Sequence, residues 1–248
     1  MLLHADHSGP GSRAHRLEAT EPTVDLYWIP LGAGGHSVRF NGRLYELVAA
    51  TAQHRPRRDL YHAALIVTVA QERYAIEIAP SPDAKERARG VVATGPVGSR
   101  RLRWFRLFRY EVRCCQNGRI PDLGFAVGGA RRVATGAAIA RQVLDVVPQV
   151  PTPVWGRDDL GAGEMWNSNS MVAWVLAEAG IDTAALRPPP GGRAPGWDAG
   201  LTVAARRRGW CGGPHRGPRH GADTGARTAP LHGCTALRPG SRWRSWSD

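Results

Sequence analysis

Apolar residues recur at every second position through much of the first half of the chain and at helical spacing in the second. That shift predicts strands first and helices after. Residues 24–30 (VDLYWIP) read as a short strand and 31–36 (LGAGGH) as a glycine-rich turn. Residues 37–40 and 43–47 flank Asn41-Gly42, a strong hairpin signal, and 44–51 (LYELVAAT) continue as a helix. Residues 64–70 (ALIVTVA) form an apolar, β-branched run. Gln71-Glu72-Arg73 reads as a turn, and 74–79 (YAIEIA) as the return strand, ended by Pro80 and Pro82. Residues 90–99 read as a loop. In 102–112 (LRWFRLFRYEV), Leu102, Trp104, Phe108, Tyr110 and Val112 share one face, so the whole stretch reads as a strand before the Asn117-Gly118 turn.

In the second half, Ile139, Val143, Leu144 and Val147 predict a helix over 137–147, stopped by Pro148 and followed by an extended connector through Pro151 and Pro153. A second helix is predicted over 167–179, with Met171, Val172, Val175, Leu176 and Ala179 on its buried side and Gly180 as C-cap. Residues 187–195 (RPPPGGRAP) are linker-like. The pattern predicts an α+β domain over residues 24–200, an antiparallel sheet packed on a few helices. A flexible arm precedes it at 1–23, and an Arg/Gly/Pro-rich disordered tail follows at 201–248.

Composition changes this picture little. The 248 residues carry 33 basic and 21 acidic side chains, a net charge of +12, and 42% hydrophobic residues support a packed core. Of the basic residues only Lys85 is lysine, an arginine skew that codon usage in a GC-rich gene produces without any partner. Residues 205–248 hold nine Arg and two Asp, so most of the basicity lies at one end. Their lack of Ile, Val, Phe and Tyr fits a natural basic tail and a shifted reading frame equally. No stretch reaches the roughly 18 apolar residues of a membrane helix, and the N-terminus lacks a secretory apolar core. The expectation is a cytoplasmic protein. Cys114 and Cys115 are adjacent, and Cys211 and Cys234 lack the paired spacing of a zinc site, so neither disulfides nor a metal is expected.

Candidate chemistry centres on His62, at the start of a strand, and Ser168, at the start of a helix within Trp166-Asn167-Ser168-Asn169-Ser170. Helix N-termini present unpaired N–H groups and the positive dipole end, which favour an oxyanion; a histidine on a neighbouring strand is a general base. Asn and Ser are also favoured N-cap residues on structural grounds alone.

A strand opening on His, with a polar residue on the next strand and a nucleophile at a helix N-terminus about a hundred residues later, resembles the circularly permuted papain-like proteins. That group holds the permuted NlpC-type peptidases and the lecithin retinol acyltransferase-like enzymes. The matching stretches are Tyr61-His62-Ala63-Ala64-Leu65-Ile66-Val67 and Asn167-Ser168-Asn169-Ser170-Met171-Val172. The resemblance implies a papain-like (permuted) architecture and a hydrolase or acyltransferase acting on an amide or ester of a small-molecule, peptide or acyl substrate, without a cofactor. Ser168 would be nucleophile, His62 base and Glu77 orienter, with Trp166, Asn167 and Asn169 contacting substrate. The family nucleophile is cysteine. A serine hydroxyl is far less acidic than a thiol and needs full general-base help, so the same residues also fit a catalytically silent binding module.

A hairpin centred near Gln71-Glu72 would pair Glu77 with about Ile66, four residues or roughly 13 Å from the level of His62. Asp83 is the fallback orienter. Gly32-Ala33-Gly34-Gly35-His36 lacks the spacing of a phosphate loop. Trp155-Gly156-Arg157-Asp158-Asp159 has the character of a cleft-lining loop. Six arginines between Arg100 and Arg113 interleave with Trp104, Phe105, Phe108 and Tyr110, the pattern of a basic stacking face. A solvated strand face accounts for it as well; a nucleic-acid-binding protein using this face and the basic tail is a third reading, although nucleic acid is not the expected partner.

Overall fold

The computed structural model describes residues 21–33, 56, 58–80, 90–105 and 108–211. Six strands form one antiparallel sheet: β1 (Thr23–Pro30), β2 (Tyr61–Val69), β3 (Glu72–Pro80), β4 (Val91–Pro96), β5 (Arg109–Gln116) and β6 (Arg131–Thr135). Their order across the sheet is β4-β5-β3-β2-β1-β6, and every neighbouring pair is antiparallel. Three helices follow: α1 (Ala137–Val146), α2 (Ser168–Glu178) and α3 (Trp197–Cys211). The α+β class and the antiparallel sheet are as the hydrophobic pattern implies.

Alternation along the strands gives the sheet two different faces. Val24, Leu26 and Trp28 of β1, Tyr61, Ala63, Leu65 and Val67 of β2, Ile76 and Ile78 of β3, and Tyr110 and Val112 of β5 join the core shared with the helices. Ile29, Ala64, Ile66 and Ala75 face the other way and pack with Ile120, next to a 3₁₀ turn at Pro121–Phe125.

Helix α1 buries Ala140, Val143 and Val146, with Val147 buried just beyond and Ile139 and Leu144 partly covered. Helix α2 is buried on every side from Ser168 to Ala177, because β2 covers one flank and α3 the other. A helix that is apolar all round from Met171 to Ala177 belongs in such a position. Each fully buried Val, Leu or Met there contributes about 1.5–3 kcal/mol. Gly180, at φ 81°, ends it: its amide reaches Ala177 and that of Ile181 reaches Leu176.

Several expectations are corrected. The strand expected over 102–112 is a 3₁₀ turn at Arg100–Trp104, then β5 from Arg109. Trp104 and Phe108 are exposed while Tyr110 and Val112 are buried, so the alternation was meaningful only in its second half. The loop expected over 90–99 contains β4, an edge strand. The basic segment 131–135 is β6, the opposite edge. The domain does not stop at residue 200. Helix α3 runs to Cys211, with Ala199 and Ala204 buried, and its arginines tie inward: Arg206 donates to the carbonyls of Leu160 and Gly161, and Arg208 to that of Ala177. Residues 1–20 of the arm, the 37–51 hairpin and helix, Asp83 and the tail beyond 211 lie outside the described residues, and Thr23 of the expected arm is the first residue of β1. Among those described, no helix is long and apolar enough to cross a membrane.

Candidate functional site

The N-terminus of α2 is a dense hydrogen-bonded knot. Asn167 is the N-cap: its Oδ1 accepts from the amides of Asn169 at 2.9 Å and Ser170 at 3.3 Å. The Asn167 amide donates to Ser170 Oγ at 3.1 Å, which completes a capping box. Ser170 Oγ in turn donates to the Met165 carbonyl at 3.0 Å. The side-chain amide of Asn169 donates to the carbonyls of Tyr61 and Pro195 at 3.0 and 2.9 Å. Asn167 Nδ2 also reaches Pro195. Gly196, at φ 86°, lies against Met165, Asn167 and Ser170 so closely that a Cβ would meet all three, and its amide donates to Glu164 at 2.7 Å. Trp166 is 2% exposed.

Ser168 sits at the first helical position within this knot. It is 8% exposed, and its hydroxyl makes no hydrogen bond to another described residue. The Asn167 and Ser170 side chains and the Asn169 Nδ2 beside it are spent on capping the helix and holding Tyr61 and Pro195.

His62 is elsewhere. It stands opposite Ile29 on β1 and shares the β2 face of Ala64 and Ile66, while α2 packs on the face of Ala63 and Leu65. The sheet therefore lies between the His62 imidazole and Ser168. Burial holds the imidazole below its usual 6.5, with the Asp122 carboxylate pulling the other way. It is the only histidine among the described residues.

Glu77 shares the His62 face. The β2–β3 hairpin turns at Ala70-Gln71, both left-handed with φ of 49° and 70°, and sets Val69 opposite Glu72 and Leu65 opposite Ile76. Continued by one residue, that register places Glu77 beside Ala64, two residues from His62 or about 6.6 Å along the strand. The expected separation was twice that, because the turn comes one residue earlier than Gln71-Glu72. On its other side Glu77 faces Arg113, whose Nε and Nη2 both donate to Glu111 Oε2 at 3.2 and 3.0 Å. Burial pushes the Glu77 carboxyl up, Arg113 pulls it down and Asp122 adds to the rise. The structure thus brings His62 and Glu77 to one face and leaves Ser168 on the other.

Neither cysteine of β5 takes over as nucleophile. Cys114 and Cys115 are adjacent on β5. Burial pushes Cys114 up to about 12 and raises Cys115 as well, whereas a reactive thiol needs a lowered value. Among the described residues no cluster of His, Cys, Asp or Glu could hold a metal ion.

A cleft of about 490 Å³ lies at the far end of the sheet, between β4, the 100–104 turn, the start of β5 and the 152–154 connector; Thr94, Arg100, Trp104, Arg109 and Thr152 line it. Two of the lining residues, Gly95 and Pro153, are held by Tyr110, whose hydroxyl donates to the Pro153 carbonyl at 2.9 Å and whose ring packs directly on Gly95 and edge-on to Trp155 at 5.4 Å. Arg100 Nε donates to Asp159 Oδ2 at 3.0 Å, and the Val154 amide donates to the same oxygen at 3.2 Å. Burial pulls the Asp159 carboxyl up, but Arg100 and Val154 outweigh it and hold the carboxyl below its usual range. Arg109 Nη2 donates to the Trp104 carbonyl at 3.3 Å. Trp104 is 70% exposed and Phe105 63%.

The Arg/aromatic run of 100–113 was the sequence signal for this cleft, although it pointed to a strand face and not to a pocket beside a 3₁₀ turn. Asp159 belongs to the loop read as cleft-lining, and it does border this one through Arg100. Compared with protein-family models, curated proteins and solved structures, the chain finds no match.

Proposed function

We propose that this chain is a binding module whose α+β scaffold presents the cleft between β4, β5 and residues 152–154 to a small anionic ligand. The observation that carries this reading is the interposed sheet: among the described residues the Ser168 hydroxyl has neither an imidazole on its side nor a hydrogen-bond partner. Serine catalysis by acyl transfer needs a base within hydrogen-bond reach of the nucleophile. The cleft offers what Ser168 lacks, an open concave surface with converging polar groups, and its volume falls in the usual range for small-ligand sites. The permuted papain-like reading, with Ser168, His62 and Glu77 as a catalytic set, is the alternative.

Labelling with a serine-directed fluorophosphonate separates the two. The module reading expects no labelling of the wild type above that of Ser168→Ala. Labelling that is lost in both Ser168→Ala and His62→Ala overturns it and restores the hydrolase.

A further inference from the structure

Resting on the binding-module reading, we infer that the ligand of the Arg100/Arg109 cleft is a nucleotide-like phosphate ester, a phosphate joined to a planar ring. Two guanidinium groups line the pocket and, among the described residues, no carboxylate does. Arg100 uses only Nε on Asp159; its Nη1 and Nη2 have no partner among the described residues, and its side chain is 71% exposed. Asp159, itself pinned by the Val154 amide, sets the plane of that guanidinium before any ligand arrives. A preset guanidinium fork matches phosphate oxygens in pairs. A phosphate monoester carries close to two negative charges at neutral pH, which suits two arginines better than one carboxylate would.

The ring is argued from Trp104. Trp104, 70% exposed, lines the cleft, and Phe105 beside it is 63% exposed, whereas Tyr110 and Val112 of the neighbouring strand are buried. Indole faces stack on nucleobases without preference for sequence. Thr94 and Thr152 also line the cleft and supply hydroxyls of the kind that meet a ribose. The volume of about 490 Å³ admits one such unit. The occupant is therefore a free nucleotide; a nucleotide within a single strand offers the same phosphate and ring.

Calorimetric titration of the full chain with AMP, adenosine, inorganic phosphate and an eight-residue oligo-dT tests this. AMP is expected to bind at least about tenfold tighter than adenosine or phosphate alone. Arg100→Gln and Arg109→Gln should each weaken AMP about tenfold or more, the scale of a lost charge-assisted hydrogen bond. Trp104→Ala should bring AMP down towards phosphate and leave phosphate unchanged. Arg109→Lys, which keeps the charge and loses the fork, serves if Arg109→Gln unfolds. AMP binding equal to adenosine, variants that bind AMP as wild type does, or no AMP binding at millimolar concentration overturns the inference. Oligo-dT that competes with AMP and weakens in the same variants supports the phosphate–ring site and places it on a strand. Oligo-dT binding that survives both arginine changes counts against it. The two proposals fail separately: Ser168-dependent fluorophosphonate labelling sinks the module reading, whereas absent AMP binding without labelling sinks only this one.

Discussion

The side chain of Asn169 joins the first residue of β2 to the loop ahead of α3: its amide donates to the Tyr61 carbonyl at 3.0 Å and to the Pro195 carbonyl at 2.9 Å. Asn169 is 3% exposed, so this bond is made away from water. Asn169→Ala leaves the Tyr61 carbonyl without it. Pro195 keeps the Asn167 amide. The expected loss is about 2 kcal/mol of unfolding free energy, the desolvation cost of one orphaned buried acceptor. Urea denaturation reads it as a lower midpoint at unchanged slope.

Two serines on the same helical turn should behave differently. Ser170 Oγ accepts from Asn167 and donates to Met165, and Ser170→Ala is expected to cost about 1–2 kcal/mol by breaking the capping box. Ser168 makes no such bond to a described residue, so Ser168→Ala should change stability by less than about 0.5 kcal/mol. A Ser168→Ala protein as destabilised as Ser170→Ala would show that the Ser168 hydroxyl has a structural partner after all.

The hairpin turn at Ala70-Gln71 uses two side-chain-bearing residues at positive φ, where Asn-Gly is the favoured pair of a type I′ turn. Replacing Ala70-Gln71 by Asn-Gly should raise the thermal midpoint, by about 1 kcal/mol of added stability. No change in midpoint would mean that the turn is not of this type.

His62 makes stability depend on pH. In the unfolded chain its imidazole takes up a proton near pH 6.5, while burial in the fold holds it lower against the pull of Asp122. The unfolded chain then binds more protons, and stability falls as pH drops below about 6.5. Glu77 acts in the opposite sense: burial raises its carboxyl above the usual 4.5, so its contribution declines as pH rises above that value. Denaturation midpoints between pH 7 and pH 5 should therefore fall less steeply in His62→Gln than in wild type, and more steeply in Glu77→Gln. Parallel curves for all three would show that neither group is as buried as the fold places it.

How much was legible follows from which residues face a core. The β1, β2 and β3 strands and the α1 and α2 helices announce themselves because their apolar positions carry the right period, and Gly180 marks the end of α2. The 102–112 stretch misleads because Trp104 and Phe108 keep the alternation of a strand while facing water; hydrophobicity alone does not tell a rim from a core. Ala70-Gln71 carries no turn signal, so the turn drifts to the more polar Gln71-Glu72 and Glu77 is moved away from His62. Ser168 and His62 are each at the predicted kind of position, a helix start and a strand start. What one residue of strand phase decides is the side of the sheet on which His62 points, and the sequence pattern around Tyr61 supports either phase, since both faces of β2 are apolar. Helix α3 escapes notice because it packs through Gly200 and small alanines, and its arginines look like tail composition.

Helix α3 has a practical consequence for the size of the cooperative unit. It covers the flank of α2 that the sheet does not, with the Arg207 guanidinium 5.4 Å over the ring of Trp174 and Trp197 packed at 4.9 Å on Trp28 of β1. A chain cut at the apparent composition boundary near residue 200 would open one side of a helix that has no polar side to offer water. Such a fragment should expose enough apolar surface to bind a hydrophobic dye and precipitate. A chain carried on through Cys211 keeps the α2 flank sealed.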